Sequence, residues 1–448
     1  MGDICFSIII LSHNNAHISM VINSLANQCI PEDEIIIVDD HSDSLYLEKL
    51  KKIALLNNCQ IIYASKRGNR SHSRNIGAEK AQNEILLFVD GDIVFIDNAL
   101  NVLRRAHKYR TEAAFIGPKH NIHYDELHFQ LVSGMKNYLQ TLQTEAGKKQ
   151  LSQAYYAKDE RQEFFADLNN RDFFWMHYYT GACSVEKSIF YKCGGFDESF
   201  ETWGSEDVDL GYRIHQCAQI GFLNDFHSFH IPHQRNAFEI ENTNMENILK
   251  MLNKYMSWEF EVLYSFNGHP ATHKSFLHII SQMRTLSLSS VEKVPMNENS
   301  SMIIDSVSAE HPNGFVLLDT DGKQRTLTLL GLALPFASQS IYNIWMSDHI
   351  FIYPTIVTSR IIQEAIRVGK NVYIIETGEN IRIDWSGKIS LPVFHSNYRI
   401  SYHSDDIMDY YFERKNGYIR VLSALPVNVM RSPIFWENIH VCPDDTGC

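Results

Sequence analysis

The chain has 448 residues, room for two or three domains, and its 44% apolar, 12% aromatic and 21% charged content excludes wholesale disorder. Forty basic against 53 acidic residues leave a formal net charge of −13, and no Lys/Arg-rich run interrupts that excess, which argues against a surface that coats nucleic acid. Apolar runs such as Ile8–Leu11, Ile35–Val38 and Ile85–Val89 fall far short of the roughly 20 residues a membrane span requires.

The N-terminus runs almost directly into a strand-like segment, without a charged start, apolar stretch and cleavage site in succession, so an intracellular, cytoplasmic protein is expected. Residues 4–95 then alternate short β-branched runs with longer amphipathic stretches, the order of parallel βαβ units. Strands are predicted at Phe6–Leu11, Ile35–Asp39, Cys59–Ala64 and Ile85–Val89, and helices at His17–Gln28, Ser44–Leu56 and Ser71–Gln82. Strands apolar on both faces demand helical layers on each side, which gives an open, doubly wound, mostly parallel sheet. Ligands of such sheets sit at the carboxyl ends of the strands, here Ser12–Asn15, Asp39–Asp43, Ser65–Arg70 and Asp90–Asp92.

Further along, residues 124–170 read as a helical insertion, and 243–265 and 274–286 as helices. Residues 287–301 combine Ser, Pro, Asn and Glu without apolar periodicity and read as a linker. Beyond it, strands at Gly314–Asp319, Ile350–Tyr353 and Asn371–Ile375, with a helix at Ser359–Val368, predict a smaller α/β unit. The expected organisation is a first α/β domain over 1–286, the linker 287–301, and a C-terminal α/β domain over 302–448. Eight cysteines with no CxxC spacing fit neither a zinc site nor a disulfide scaffold and are expected to be small core residues, apart from the terminal Cys442 and Cys448.

Two segments carry chemistry. Asp90-Gly91-Asp92 closes a buried strand with two carboxylates on one side of the chain, which repel unless a divalent cation or its ligand neutralises them. Trp203-Gly204-Ser205-Glu206-Asp207 sets two consecutive carboxylates at the start of a helix, where the macrodipole keeps them ionised, behind an indole suited to stacking on a sugar. Taken singly, each has an ordinary structural explanation, as a strand exit and as helix N-terminal capping.

Their surroundings add more. The succession Ser12-His13-Asn14-Asn15, Val38-Asp39-Asp40-His41-Ser42, Ser73-Arg74-Asn75-Ile76-Gly77 and Val89-Asp90-Gly91-Asp92 closely resembles the nucleotide-binding half of family 2 glycosyltransferases of GT-A fold. The resemblance implies that Asp39 or Asp40 accepts uracil N3–H, that Arg74 lies near the base and diphosphate, that Asp90 approaches the ribose, and that Asp92 ligates a metal, Mn²⁺ or Mg²⁺. Ser12 and Asn14 belong to the same donor-binding edge. The family pattern has Gly where this chain has His41.

Thr180-Gly181-Ala182, Gly194-Gly195-Phe196-Asp197-Glu198 and Trp203–Asp209 resemble the C-terminal motif of β-1,4-galactosyltransferases, polypeptide N-acetylgalactosaminyltransferases and bacterial chondroitin-type polymerases. By that likeness Asp207 is the catalytic base, Glu206 contacts sugar hydroxyls, Trp203 shapes the pocket, and His233, with His230 as a weaker second, completes the metal site opposite Asp92.

The implied function is an inverting, metal-dependent transfer of a hexose or N-acetylhexosamine from UDP-N-acetylgalactosamine, UDP-galactose or UDP-glucose to a hydroxyl or thiol of a glycan or peptide. Two other classes compete. A sugar nucleotidyltransferase needs a Lys- and Gly-rich phosphate loop after the first strand, and Ser12–Asn15 is not one. A non-catalytic nucleotide-sugar-binding protein would keep the first half and lose the base.

Overall fold

The computed structural model describes residues 3–96, 98–122, 156–157, 159, 161–231, 237–266, 301–306, 315–320, 323–327, 329–352, 355–375, 388–392, 407–415 and 418–423. The predicted helix at 274–286, nearly all of the linker 287–301, His233, Cys442 and Cys448 lie outside these residues, as does 124–155 of the insertion. The chain divides into two compact units, Met1–Asn247 and Ile248–Cys448.

In chain order the first unit begins with β1 (Phe6–Ser12), α1 (Ile18–Ala26), β2 (Glu34–Asp39), α2 (Ser44–Leu56), β3 (Gln60–Tyr63), α3 (Arg70–Lys80), β4 (Ile85–Asp90), β5 (Ile93–Ile96) and α4 (Ala99–Tyr109). It continues through β6 (Ala114–Ile116), β7 (Lys119–Ile122), β8 (Tyr156–Ala157), α5 (Arg161–Ala166), a 3-10 stretch (Leu168–His177), β9 (Cys183–Glu186), α6 (Lys187–Lys192), α7 (Glu206–His215), β10 (Ile220–Phe222) and β11 (His227–His230). The helix α8 (Ala237–Tyr255) follows.

The main sheet runs β10-β6-β9-β4-β1-β2-β3. Its β4-β1-β2-β3 portion is parallel, and β9 enters antiparallel between β4 and β6. β1, β2 and β4 are buried almost throughout, as predicted for strands covered on both sides. β3 departs from that expectation: it is the sheet edge, and its burial is partial. A second sheet, β5-β11-β7-β8, is built partly from the segment after Asp92.

Local chemistry explains the helix starts. The Asp43 carboxylate accepts the Tyr46 N–H at 2.8 Å and begins α2, and the Asn69 side chain accepts the His72 N–H at 2.8 Å and begins α3. α3 lies close on the sheet because residue 77 is glycine: a Cβ there would meet Ile9 Cγ2 at 2.5 Å and Val38 Cγ2 at 3.1 Å. No helix among the described residues is long and apolar enough to cross a membrane.

The second unit adds α9 (Trp258–Phe266), β12 (Ser301–Ser306), β13 (Phe315–Thr320), β14 (Lys323–Leu327), β15 (Ile341–Ser347), α10 (Thr355–Val368), β16 (Gly369–Ile375), β17 (Lys388–Pro392), β18 (Ile407–Lys415) and β19 (Tyr418–Ser423). Its eight strands run β14-β13-β12-β15-β16-β19-β18-β17, parallel across β12-β15-β16 and antiparallel elsewhere. Two expectations are corrected. Residues Asp348–Ile352 form a 3-10 turn rather than the predicted strand at Ile350–Tyr353, and Thr358 Oγ1 pins that turn by donating to the Ile350 carbonyl at 2.6 Å. The single helix expected over 243–265 is two, broken at Met256, whose φ of 47° is left-handed.

Inside the second unit lies a buried polar clamp. The Glu261 carboxylate accepts backbone N–H groups from Leu330, Gly331 and Ala333. Arg367 pairs with Glu364 at 2.7 Å and donates to the carbonyls of Leu334 and Phe336, while Arg360 lies 3.4 Å from Glu364.

Candidate active site

Strand register assembles the first part of the site. Ser12 pairs with Asp39, and Leu11 with Asp90, so both carboxylates stand at the same carboxyl edge on either side of β1. Asp39 is only 1% exposed; its Oδ2 accepts the Ser42 N–H at 3.1 Å, while its Oδ1 is buried with no hydrogen-bond partner among the described residues. Asp40 is otherwise occupied: both its carboxylate oxygens lie 2.9 Å from the Gly68 N–H, tying the second loop to the third. The turn after Asp40 is left-handed at His41, φ 57°, the conformation that glycine adopts at least cost. Ser12 Oγ lies 2.5 Å from the Tyr46 hydroxyl, and Asn14 accepts the Asp43 N–H at 3.0 Å, so both shape this edge.

Gly91 is required by close approach. A Cβ there would sit 2.4 Å from Asn15 Nδ2 and 2.8 Å from the Leu11 carbonyl, and Asn15 donates to the Gly91 carbonyl at 2.6 Å. That turn sends its two carboxylates to different partners. Asp90 Oδ1 accepts from Arg74 at 3.1 Å and from Thr180 Oγ1 at 3.3 Å. Asp92 Oδ2 lies 3.3 Å from His230 Nε2, a proximity set by the antiparallel pairing of β5 with β11.

Arg74 joins the two halves. Its guanidinium is buried, donates to Glu206 Oε1 at 2.9 Å and to Asp90, and lies over the Phe196 ring. Burial alone would lower its pKa, but Glu206 and Asp90 raise it, so it stays a cation. The neighbouring Asn75 holds the glycine turn: it accepts the Phe196 N–H at 2.9 Å, donates to the Phe196 carbonyl at 2.9 Å, and reaches Glu198 at 3.2 Å.

The carboxylate pair that opens α7 follows an unusual stretch of backbone. Gly204 has φ 108° and Ser205 φ 63°, and a Cβ at Gly204 would meet Asn244 Oδ1 at 2.6 Å. Ser205 Oγ donates to Asn244 at 2.7 Å, and Asn247 donates to the Gly204 carbonyl at 2.7 Å and the Trp203 carbonyl at 3.3 Å. Glu206 accepts the Gly204 N–H at 3.1 Å. Asp207 accepts the Thr180 N–H at 3.1 Å and the Val208 N–H at 2.9 Å. Burial, and then the charge of Glu206, push the Asp207 carboxyl up to about 7, against the pull of Arg74. Trp203 is half-buried at the entrance to this loop.

The structure thus brings Arg74, Asp90, Glu206 and Asp207 into one cluster, with Asp39 on the same sheet edge. His230 stands beside Asp92; His233 lies outside the described residues. Among the described residues no group of three or more His, Cys, Asp or Glu side chains could by itself hold a metal ion. Sequence reasoning missed Thr180, which bonds both Asp90 and Asp207, and also Asn75, Asn244 and Asn247. Thr180 and Asn75 sit inside quoted motifs, and their polar character amid small and apolar neighbours was the available signal; Asn244 and Asn247 lie in an ordinary helix and gave none.

Residues 7–193 match the model of glycosyl transferase family 2, and residues 161–234 match that of the N-terminal domain of galactosyltransferase. The validoxylamine A glucosyltransferase of Streptomyces hygroscopicus subsp. limoneus is 27% identical over 222 residues, 47% of this chain and 47% of that protein. Polypeptide N-acetylgalactosaminyltransferase 3 of Drosophila melanogaster is 26% identical over 230 residues, 47% of this chain and 32% of that one. The match thus spans about half the length of these relatives or less. A solved structure, GalNAc-T7 with UDP, GalNAc and Mn²⁺, overlays on 65% of this chain and 53% of that one at 16% identity, with a TM-score of 0.40. Residues 7–193 thus carry the pattern of family 2 glycosyltransferases, and residues 161–234 that of the galactosyltransferase type.

Proposed function

We propose that the chain moves a hexose or N-acetylhexosamine from a UDP-sugar to an acceptor hydroxyl by one in-line displacement with inversion. The observation that carries this reading is the Arg74 bridge, which ties Asp90 of the donor half to Glu206, next to the candidate base. The names of the two relatives, a glucosyltransferase and an N-acetylgalactosaminyltransferase, support UDP-glucose and UDP-N-acetylgalactosamine as first donors to test.

Of the two candidates for the base-reading carboxylate, Asp39 is favoured, because its buried Oδ1 still lacks the donor that a uracil N3–H would supply. Asp207 takes the proton of the attacking hydroxyl as oxygen bonds to the anomeric carbon and the bond to UDP breaks, the electron pair leaving with UDP. A carboxyl titrating near 7 is matched to that task at neutral pH, since it is substantially ionised yet basic enough to accept a proton. Glu206, fixed by Arg74 and the Gly204 N–H, keeps its carboxylate out of proton transfer and orients the loop.

Asp92 and His230, 3.3 Å apart, would hold a divalent cation between them, and an imidazole in the set would favour Mn²⁺ over Mg²⁺. Bound there, the ion would neutralise charge developing on the leaving diphosphate. Incubating the full chain with UDP-glucose, UDP-galactose or UDP-N-acetylgalactosamine, with Mn²⁺ and after chelation, should give slow metal-dependent UDP release from one donor. Absence of UDP binding and of release across all three would overturn the reading.

A further inference from the structure

Cys193 and Cys217 play no part in the proposed transfer, yet their sulfur atoms lie 2.9 Å apart. Both residues are half-buried, in contrast to the buried Cys183. Their backbones are fixed independently. Cys193 caps α6 through its N–H to the Ile189 carbonyl at 3.0 Å, and Cys217 follows α7 with its N–H on the Ile214 carbonyl at 3.0 Å. Arg213 fastens the two ends together: it donates to the Cys193 carbonyl at 2.5 Å and the Gly195 carbonyl at 2.6 Å, and it pairs with Asp209 at 2.7 Å. Both thiols point at the Arg213 carbonyl, at 3.3 and 3.5 Å.

We propose that Cys193 and Cys217 are a modification site, a dithiol that closes to an intrachain disulfide by exchange with small aliphatic disulfides. A bonded sulfur pair is about 2.0 Å long, so the two sulfurs, 2.9 Å apart, need only close by about 1 Å. In the first step one thiolate attacks the small disulfide, forming a mixed disulfide and expelling one thiolate. The second cysteine then attacks the protein sulfur and expels the other half. The protein loses two protons and two electrons, and the small disulfide takes up both and is reduced to two thiols. The ring encloses residues 194–216, and with them the glycine turn and the whole Trp203–Asp209 loop. Because the enclosed loop lies free in the unfolded chain, closure constrains that state most.

The site stands independently of the transferase reading and is tested without any activity. Full-length native protein is incubated with glutathione disulfide, quenched with N-ethylmaleimide and mapped by mass spectrometry, beside Cys193→Ser and Cys217→Ser. The expected wild-type product is a peptide pair joined through Cys193 and Cys217, two hydrogens lighter and released by dithiothreitol. Each single variant should instead stop with one glutathione on its remaining cysteine. Burial, and then the neighbouring Cys217, push the Cys193 thiol up to about 12, so wild-type closure should accelerate as pH rises. Wild-type protein that keeps both thiols free for N-ethylmaleimide, or that carries glutathione on both without joining them, overturns the proposal; the wild-type map decides even if a variant fails to fold.

Discussion

Each unit buries arginine against carboxylates, with opposite accounting. In the second unit Glu364 is satisfied by Arg367, Arg360 and the Leu334 N–H, and its pKa stays low because these partners outweigh burial. In the first, the guanidinium of Arg74 is shared between Glu206 and Asp90, Asp207 stands beside them accepting backbone N–H groups, and one Asp39 oxygen has no hydrogen-bond partner among the described residues. A saturated cluster holds a fold, whereas a cluster with acceptors to spare is prepared for something that arrives later.

The sharpest way to break that contrast is Asp207→Asn. Transfer should fall by about 10²–10⁴-fold, while calorimetry should find UDP binding nearly unchanged; unimpaired turnover would remove Asp207 as the base. Next, Arg74→Met leaves Glu206 and Asp90 without their cation and should cost about 3–5 kcal/mol in chemical denaturation of the first unit. Arg367→Met should cost less, about 1–3 kcal/mol, because Glu364 keeps Arg360 and the Leu334 N–H. Hydrogen exchange in α10 reads that loss, and equal costs for the two arginines would erase the distinction.

Two pH effects complete the set. Transfer should decline as pH falls through about 7, since only the ionised Asp207 can accept a proton, and a rate flat across that range would contradict the assignment. Glu261 gives the smallest effect and the opposite sense. Burial pushes its carboxyl up to about 8, above its ordinary 4.5. Its contribution to stability is thus complete below the ordinary carboxylate range and is lost as pH rises through about 8. Exchange protection in the second unit should weaken over that window in wild type and stay level in Glu261→Gln.

Much of the first unit was legible because its signals are local. Ser44–Leu56 appears with the predicted bounds, since the Asp43 cap and the amphipathic pattern agree, and the four early strands fall within about a residue of their apolar runs. What the sequence concealed is what long-range pairing decides. The antiparallel entry of β9, the partners of Arg74, the split of labour between Asp39 and Asp40, and the double role of Thr180 all join residues far apart in the chain. The strand expected at Ile350–Tyr353 failed for a related reason: its apolar run is held as a turn by a threonine hydroxyl from the next helix.

The enclosed position of Arg74 also limits how such proteins can be recombined. Grafting the portion after Thr180 from a relative onto this N-terminal portion would seal a guanidinium in the interior opposite whatever side chain replaces Glu206. Chimaeras that keep a carboxylate there should express as folded protein, and those that do not should aggregate before any question of sugar preference arises.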